Sequence, residues 1–85
     1  MTRRALLREL DSIDESTLRA LLAADSIREV VIVRHEGAYA VKVKFGNKDV
    51  YLSSRRNEIR TYKSLDTIAK QFREMGRLII TLDLN

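Results

Sequence analysis

Apolar side chains recur along the chain with a spacing that changes from helical to alternating and back. Over residues 3–24 they return every three or four positions, which predicts helical structure. Ser12-Ile13-Asp14-Glu15 has the form of a capping box, in which side-chain oxygens satisfy the first free amides of a helix. The sequence therefore predicts two helices, about 3–10 and 13–24, in preference to one long helix.

The centre of the chain predicts a β-meander. Residues 27–34 are rich in β-branched side chains and apolar on both faces, which is typical of a central strand covered on both sides. Residues 38–45 alternate strictly, with apolar side chains on one face and Ala or Lys on the other. The predicted strands are 27–34, 38–45, 49–54 and 59–63, with turns at Glu36-Gly37, Gly46-Asn47-Lys48 and 55–58.

The C-terminal third predicts a helix and a last strand. Ser64 is a suitable N-cap, and the apolar side chains that follow it recur at helical spacing as far as Met75, with Gly76 as the C-cap. Residues 77–83 alternate again, which predicts a strand joined to the fourth one by a βαβ crossover. The expected fold is α+β in a single domain over residues 1–85. It has an N-terminal helix or helix pair, an antiparallel meander of three to four strands, one amphipathic helix and a C-terminal strand that completes the sheet.

Composition argues against catalytic and metal-binding roles. The 85 residues include no Cys, and His35 is the single His, so thiolate chemistry and zinc sites built from Cys or several His are excluded. The three glycines are scattered, so there is no Gly-rich phosphate loop. We expect a non-enzymatic protein without a cofactor or metal. No secretory signal or membrane span is evident, which predicts a soluble cytoplasmic protein.

Basic side chains are concentrated in the meander and the segment after it. The chain carries a net charge of +4, and residues 42–63 hold seven bases against Asp49 and Glu58. Such a stretch attracts polyanions, either as a β-ribbon in a duplex groove or with Tyr51 and Tyr62 stacking on single-stranded bases. A solvated face that keeps the domain soluble explains the same charges. The candidate nucleic-acid-binding residues are Lys42, Lys44, Lys48, Arg55, Arg56, Arg60 and Lys63, with the 55–60 hairpin as the best single site.

The predicted N-terminal helices are rich in large aliphatic side chains: Leu6, Leu7, Leu10, Ile13, Leu18, Leu21 and Leu22. These side chains either cover the second face of the sheet or, in part, form an interface with another copy of the chain, for which Leu6, Leu7 and Leu10 are the candidates. A small domain without disulfides or metals often depends on oligomerisation for its stability. We therefore expect a homodimer that uses these leucines.

Two stretches give the chain a resemblance to a known family. They are the strand segment Arg28-Glu29-Val30-Val31-Ile32-Val33-Arg34, and the region from Arg60 through Ser64-Leu65-Asp66 to the apolar end Leu82-Asp83-Leu84. Together they resemble ParC-like partition-associated proteins of bacterial plasmids and integrating elements, over most of residues 26–84. The resemblance implies a non-enzymatic role in maintaining mobile elements.

Two functions are compatible with the sequence. The first is a small dimeric accessory protein that binds DNA or another nucleic acid through the meander. The second is an adaptor that docks a protein, such as a partition ATPase, through its helical leucines or a sheet edge.

Overall fold

In the part of the chain that the structure describes, two helices pack on a five-stranded mixed sheet, which confirms the α+β class. The computed structural model describes residues 12–54, 58–77 and 79–84. The predicted helix 3–10 and its Leu6, Leu7 and Leu10 therefore lie outside the described residues. In chain order the elements are β1 (Ser12–Ile13), α1 (Glu15–Ala23), β2 (Glu29–His35), β3 (Ala38–Phe45), β4 (Lys48–Leu52), α2 (Leu65–Glu74) and β5 (Thr81–Asp83).

The meander is present as three antiparallel strands, β2, β3 and β4. The first two of the three predicted turns are two-residue connections that need left-handed backbone, and Lys48, predicted in the second turn, belongs to β4. Glu36 and Gly37 have φ angles of 51° and 79°, as a type I′ turn requires at both central positions. Gly46 has a φ of 56° at the first central position of the next turn, where glycine carries no steric penalty. These turns set the register that pairs Val30 with Val43.

The start of α1 differs from the prediction. The capping box at Ser12 is wrong, because Ser12 and Ile13 form a short strand that pairs in parallel with β4. The helix begins two residues later at Glu15, and the carboxylate of Asp14 caps it by accepting from the Thr17 amide at 2.8 Å. This hydrogen bond holds the pKa of Asp14 below its ordinary value, since it favours the ionised form. Ile13 is consequently free to pack against the core.

The predicted fourth strand is wrong as a continuous strand. Residues 59–62 cross the ends of two strands instead of running beside one of them. Ile59 bridges to Ser53 after β4, whereas Tyr62 bridges to Tyr39 at the start of β3. The last strand is confirmed at the sheet margin, but it is shorter than predicted and pairs in parallel with β2. The strand order is β1-β4-β3-β2-β5.

The main core lies on one face of the sheet, where both helices pack. Leu18 of α1 and Ile68 and Phe72 of α2 are fully buried there. Each such side chain contributes about 1.5–3 kcal/mol through its removal from water. The strands contribute Val30, Ile32, Val41, Val43, Val50 and Leu52 to this core, as the alternation in β3 predicts.

Neither described helix is long and apolar enough to cross a lipid bilayer.

Candidate nucleic-acid interface

The sheet face opposite the helices carries a mixture of aromatic, basic and small side chains. In the register of β3 with β4, Lys42 lies opposite Tyr51, and Lys44 lies opposite Asp49. In the register of β2 with β3, His35 lies opposite Ala38. We call this side of the sheet the Tyr51 face and define it by His35, Ala38, Ala40, Lys42, Lys44 and Tyr51. Ala40 is buried, and the other five residues are half-buried.

Two rings and one ammonium group converge on this face. The Nζ atom of Lys42 lies 5.6 Å from the centroid of the Tyr51 ring, within the range of a cation–π interaction. The imidazole of His35 lies 6.5 Å from the same ring at an interplanar angle of 44°. His35 and Tyr51 belong to strands on either side of β3, where Ala38 and Ala40 share the face. Because alanine is small, the two rings approach each other across the middle strand.

Lys42 and Lys44 differ in how far their charges are balanced. The Nζ atom of Lys44 lies 3.9 Å from the Glu29 carboxylate, which also accepts from the Thr81 hydroxyl at 2.7 Å. No described carboxylate lies within ion-pair distance of Lys42. An ammonium group with no described carboxylate partner, beside a half-buried ring, is better suited to a ligand phosphate than one in a described ion pair. Lys42 is therefore the stronger candidate of the two.

The other predicted basic residues that the structure describes do not join this face. Lys48 lies opposite Phe45 in the sheet register, so it belongs to the face that bears the helices. Lys63 is exposed just before α2. Arg55 and Arg56, and with them the tip of the predicted hairpin site, lie outside the described residues. The described members of the predicted basic surface thus lie in different parts of the molecule.

Arg60 and Tyr62 have structural contacts. The Nη1 atom of Arg60 donates to the Glu15 carboxylate at 3.1 Å, and its guanidinium lies 4.9 Å from the Tyr62 ring centroid. Tyr62 is buried in the core, where its hydroxyl donates to Gln71 Oε1 at 2.7 Å. Burial raises the pKa of Tyr62 above its ordinary value. A stacking role for Tyr62 is therefore wrong, because its ring is covered by protein.

The structure also brings together three arginines that the sequence pattern did not single out. Arg77 follows Gly76 and returns along the sheet, where its guanidinium donates to the carbonyls of Ile79, Ile27 and Arg28. Arg28 donates to the Gly46 carbonyl at 2.8 Å. Arg73 lies one turn before Arg77 near the end of α2. The sequence signal was the C-capping Gly76, which predicts a chain reversal but not which strand the next residue reaches.

Compared with models of known protein families and with curated protein sequences, the chain matches none.

Proposed function

We propose that the chain is a small, non-enzymatic accessory protein that binds single-stranded nucleic acid through the Tyr51 face. The resemblance to ParC-like proteins supports a setting in plasmid or mobile-element maintenance, in the cytoplasm. The observation that carries the proposal is the grouping of Lys42, Tyr51 and His35 on one sheet face.

This grouping is chemically suited to unpaired bases. An aromatic ring on a sheet stacks on any base, and each such contact contributes about 1–3 kcal/mol to binding. The ammonium group of Lys42 supplies a counter-charge for the backbone phosphate of the same nucleotide. A duplex buries its base faces in its own stack, so it cannot use Tyr51 in this way. The geometry therefore favours single strands over a ribbon in the major groove.

Fluorescence anisotropy with labelled oligonucleotides of about 12 nucleotides, within the site sizes of comparable single-strand binders, tests the proposal. We expect the protein to bind single-stranded DNA or RNA more tightly than a duplex of the same sequence at low salt. Tyr51→Ala should weaken binding about 5- to 100-fold, whereas Tyr51→Phe should retain it. Absence of binding at micromolar protein, or equal binding by Tyr51→Ala, would contradict the proposal.

Salt dependence gives a second test that is specific for charge. Lys42→Gln should reduce the slope of log K against log salt by about 0.7, the value for one phosphate contact on a single strand. Lys48→Gln is the matched control, because Lys48 is an exposed lysine whose register assigns it to the opposite side of the sheet. Equal changes of the slope in both variants would indicate that binding depends on the overall positive charge instead of a defined site.

The second candidate function is that of a protein-interaction adaptor. It is favoured by the exposed apolar side chains of Ile79, Leu82 and Leu84 beside the short marginal strand β5. A homodimer remains a prediction that rests on Leu6, Leu7 and Leu10. Sedimentation at increasing concentration tests it, with a triple Leu→Ser variant of these positions expected to remain monomeric.

A further inference from the structure

A small cavity lies between α2 and the segment that leads into β5. Its volume is about 110 Å³, and the described residues that line it are Ala69, Arg73, Arg77 and Ile80. One water molecule takes about 30 Å³ of liquid volume, so the cavity has room for a group of a few heavy atoms. Two of the described lining side chains are cationic and none is acidic. An anion is therefore the ligand that this cavity suits.

Arg77 is held in place at this cavity by the backbone. Its guanidinium donates to the carbonyls of Ile79, Ile27 and Arg28, at 3.1, 3.5 and 3.4 Å. These hydrogen bonds leave further N–H groups of the guanidinium for a ligand. Carbonyls carry no net charge, so the positive charge of Arg77 is not cancelled by them. A guanidinium that is fixed in advance loses less side-chain freedom when an anion binds.

Arg73 supplies a second cation that has no described partner. It is exposed one turn after Ala69, and it forms no hydrogen bond or ion pair with a described residue through its side chain. The end of α2 does not need this side chain as a cap, because the amides of Gly76 and Arg77 donate to the carbonyls of Arg73 and Phe72. The Arg73 guanidinium is therefore available to a ligand in the cavity.

We propose that this cavity binds a phosphomonoester, and that Arg73 and Arg77 hold its phosphate. Such a group carries about −1.5 to −2 charge at neutral pH and presents several acceptor oxygens, so it can accept from both guanidinium groups at once. A carboxylate has a single charge and is satisfied by one arginine in a bidentate pair. A phosphodiester inside a strand also has a single charge, and it bears a substituent on each side. A phosphate with one substituent fits both the charge and the size of the cavity better.

The cavity is separate from the Tyr51 face. α2 packs on the sheet face opposite to Tyr51, so the sheet lies between the two sites. This inference therefore goes beyond the proposed binding of single strands and does not depend on it. The terminal phosphate of a nucleic-acid strand and the phosphate of a small molecule have the same chemistry, and both are candidates for the source of the group.

Titration of the isotope-labelled full chain with phenyl phosphate, followed by two-dimensional NMR, tests the proposal. We expect saturable shifts of the Nε–H signals of Arg73 and Arg77 and of the Ala69 amide, with a Kd of about 1 mM, as two charge-assisted contacts would give. Succinate, a dianion without a phosphate, should bind about 10-fold more weakly. Equal affinity for succinate, or shifts over all exposed basic residues without saturation, would overturn the proposal. Binding of inorganic phosphate without binding of phenyl phosphate would overturn the assignment to an ester.

Charge and volume are tested by separate variants. Arg73→Gln should weaken phenyl phosphate about 10-fold or more, the effect of losing one hydrogen bond to a charged group. Lys70→Gln is the matched control, because it removes the same charge from an exposed residue of α2 that is not among the lining residues. It should change the affinity less than about twofold. Equal effects of Arg73→Gln and Lys70→Gln would overturn the proposal.

Ala69→Leu should reduce the volume of the cavity without a change of charge. We expect it to weaken phenyl phosphate at least as much as Arg73→Gln does, and unchanged binding in a folded Ala69→Leu variant would overturn the proposal. Circular dichroism checks the fold of both variants. Arg73 is exposed and its side chain has no described partner, so Arg73→Gln should retain the fold and gives a decisive result even where Ala69→Leu does not fold.

Oligonucleotides distinguish the two sources of the phosphate. In a Tyr51→Ala background, a strand of about 12 nucleotides with a terminal phosphate is compared with the same strand without it. Tighter binding of the phosphorylated strand, removed by Arg73→Gln, assigns the site to the end of a nucleic acid. Equal binding of the two strands, with phenyl phosphate still bound, assigns it to a small phosphorylated molecule. Loss of phenyl phosphate binding in Arg73→Gln should leave the affinity of the Tyr51 face for unphosphorylated strands unchanged, so the failure of one proposal is distinguishable from the failure of the other.

Discussion

The guanidinium of Arg60 lies 3.1 Å from the carboxylate of Glu15, and this ion pair connects the first turn of α1 to the segment that leads into α2. Glu15 also pairs with Arg19 one helical turn later, at 2.9 Å. The carboxylate is thus shared by two arginines. Arg60 therefore links two elements of the fold, and the Glu15 carboxylate largely compensates its charge.

The contact predicts that Arg60→Gln lowers stability but leaves oligonucleotide binding nearly unchanged. Both side chains are more than one third exposed, so solvent screens the pair and its loss should cost about 0.5 kcal/mol. This corresponds to a decrease of about 2–4 °C in Tm for a domain of this size. Oligonucleotide affinity should stay within about twofold of the parent, in contrast to Lys42→Gln. Calorimetry and anisotropy on the same preparations check the two parts. A larger loss of affinity than in Lys42→Gln would indicate that Arg60 contacts the nucleic acid.

Acid stability should depend on Glu15. Its pKa is held below the ordinary value of 4.5, chiefly by the hydrogen bond from Arg19 and in part by Arg60. Because the folded pKa is the lower one, the ionised carboxylate stabilises the fold above the unfolded pKa, and this is lost as pH falls through the folded value. Urea denaturation between about pH 5 and pH 3 should show a shallower loss of stability for Glu15→Gln than for the parent. Glu74→Gln, on an exposed residue at the end of α2, is the control and should follow the parent curve.

Alkaline stability should depend on Tyr62. Burial raises the folded pKa of this phenol above 10.0, so its neutral form stabilises the fold below about pH 10 and the contribution is lost as pH rises further. Tyr62→Phe should remove that alkaline loss. At neutral pH it should cost about 1 kcal/mol, because Gln71 loses the hydroxyl that donates to it. Tyr39→Phe, on a half-buried ring in β3, provides the comparison. An equal loss of stability at alkaline pH in Tyr62→Phe and the parent would contradict the assignment of this loss to Tyr62.

The first hairpin should tolerate a stabilising substitution. Glu36 has a φ of 51°, a left-handed conformation that costs an ordinary side chain about 1 kcal/mol and that asparagine adopts more readily. Glu36→Asn creates the Asn-Gly pair preferred in type I′ turns, and it should raise the free energy of unfolding by up to about 1 kcal/mol. Chemical denaturation measures the change. Asn47, which follows Gly46 in the second turn, does not have a positive φ, so Asn47→Glu should leave stability nearly unchanged. Destabilisation by Glu36→Asn would mean that Glu36 makes a contact more important than its backbone strain.

The meander was predictable because its signals are local. Alternation from Tyr39 to Phe45 and the two glycine turns each specify structure within a few residues. The sheet margins were not predictable in the same way. Ser12 and Ile13 are too few to carry a period, and their pairing with β4 depends on residues distant in sequence. The fourth predicted strand is wrong for a similar reason. Its apolar residues Ile59 and Tyr62 bridge to two different strands, and their local pattern does not indicate this.

The candidate site was predictable only in its residue types. The alternation assigned Lys42 and Lys44 to one face correctly, but only the strand register brings Tyr51 next to Lys42. Tyr62 is the same residue type as Tyr51, and Arg60 is cationic like Lys42. Nothing in the local sequence distinguishes a buried phenol from an accessible one, or a paired cation from an unpaired one. The contact of Arg77 with Arg28 requires two distant segments of the chain to meet.

The strand order has a consequence for how the sheet assembles and opens. Neighbours within the meander are close in sequence, whereas β5 joins β2 through pairs such as Val31 with Thr81. Pairings between distant segments have a larger loop-closure cost, so the meander should form early and both marginal strands should dock late. Native-state amide exchange should therefore be slowest in β3 and fastest at Ser12–Ile13 and Thr81–Asp83. The marginal strand β5 would then separate from the sheet and return many times within the lifetime of the folded core.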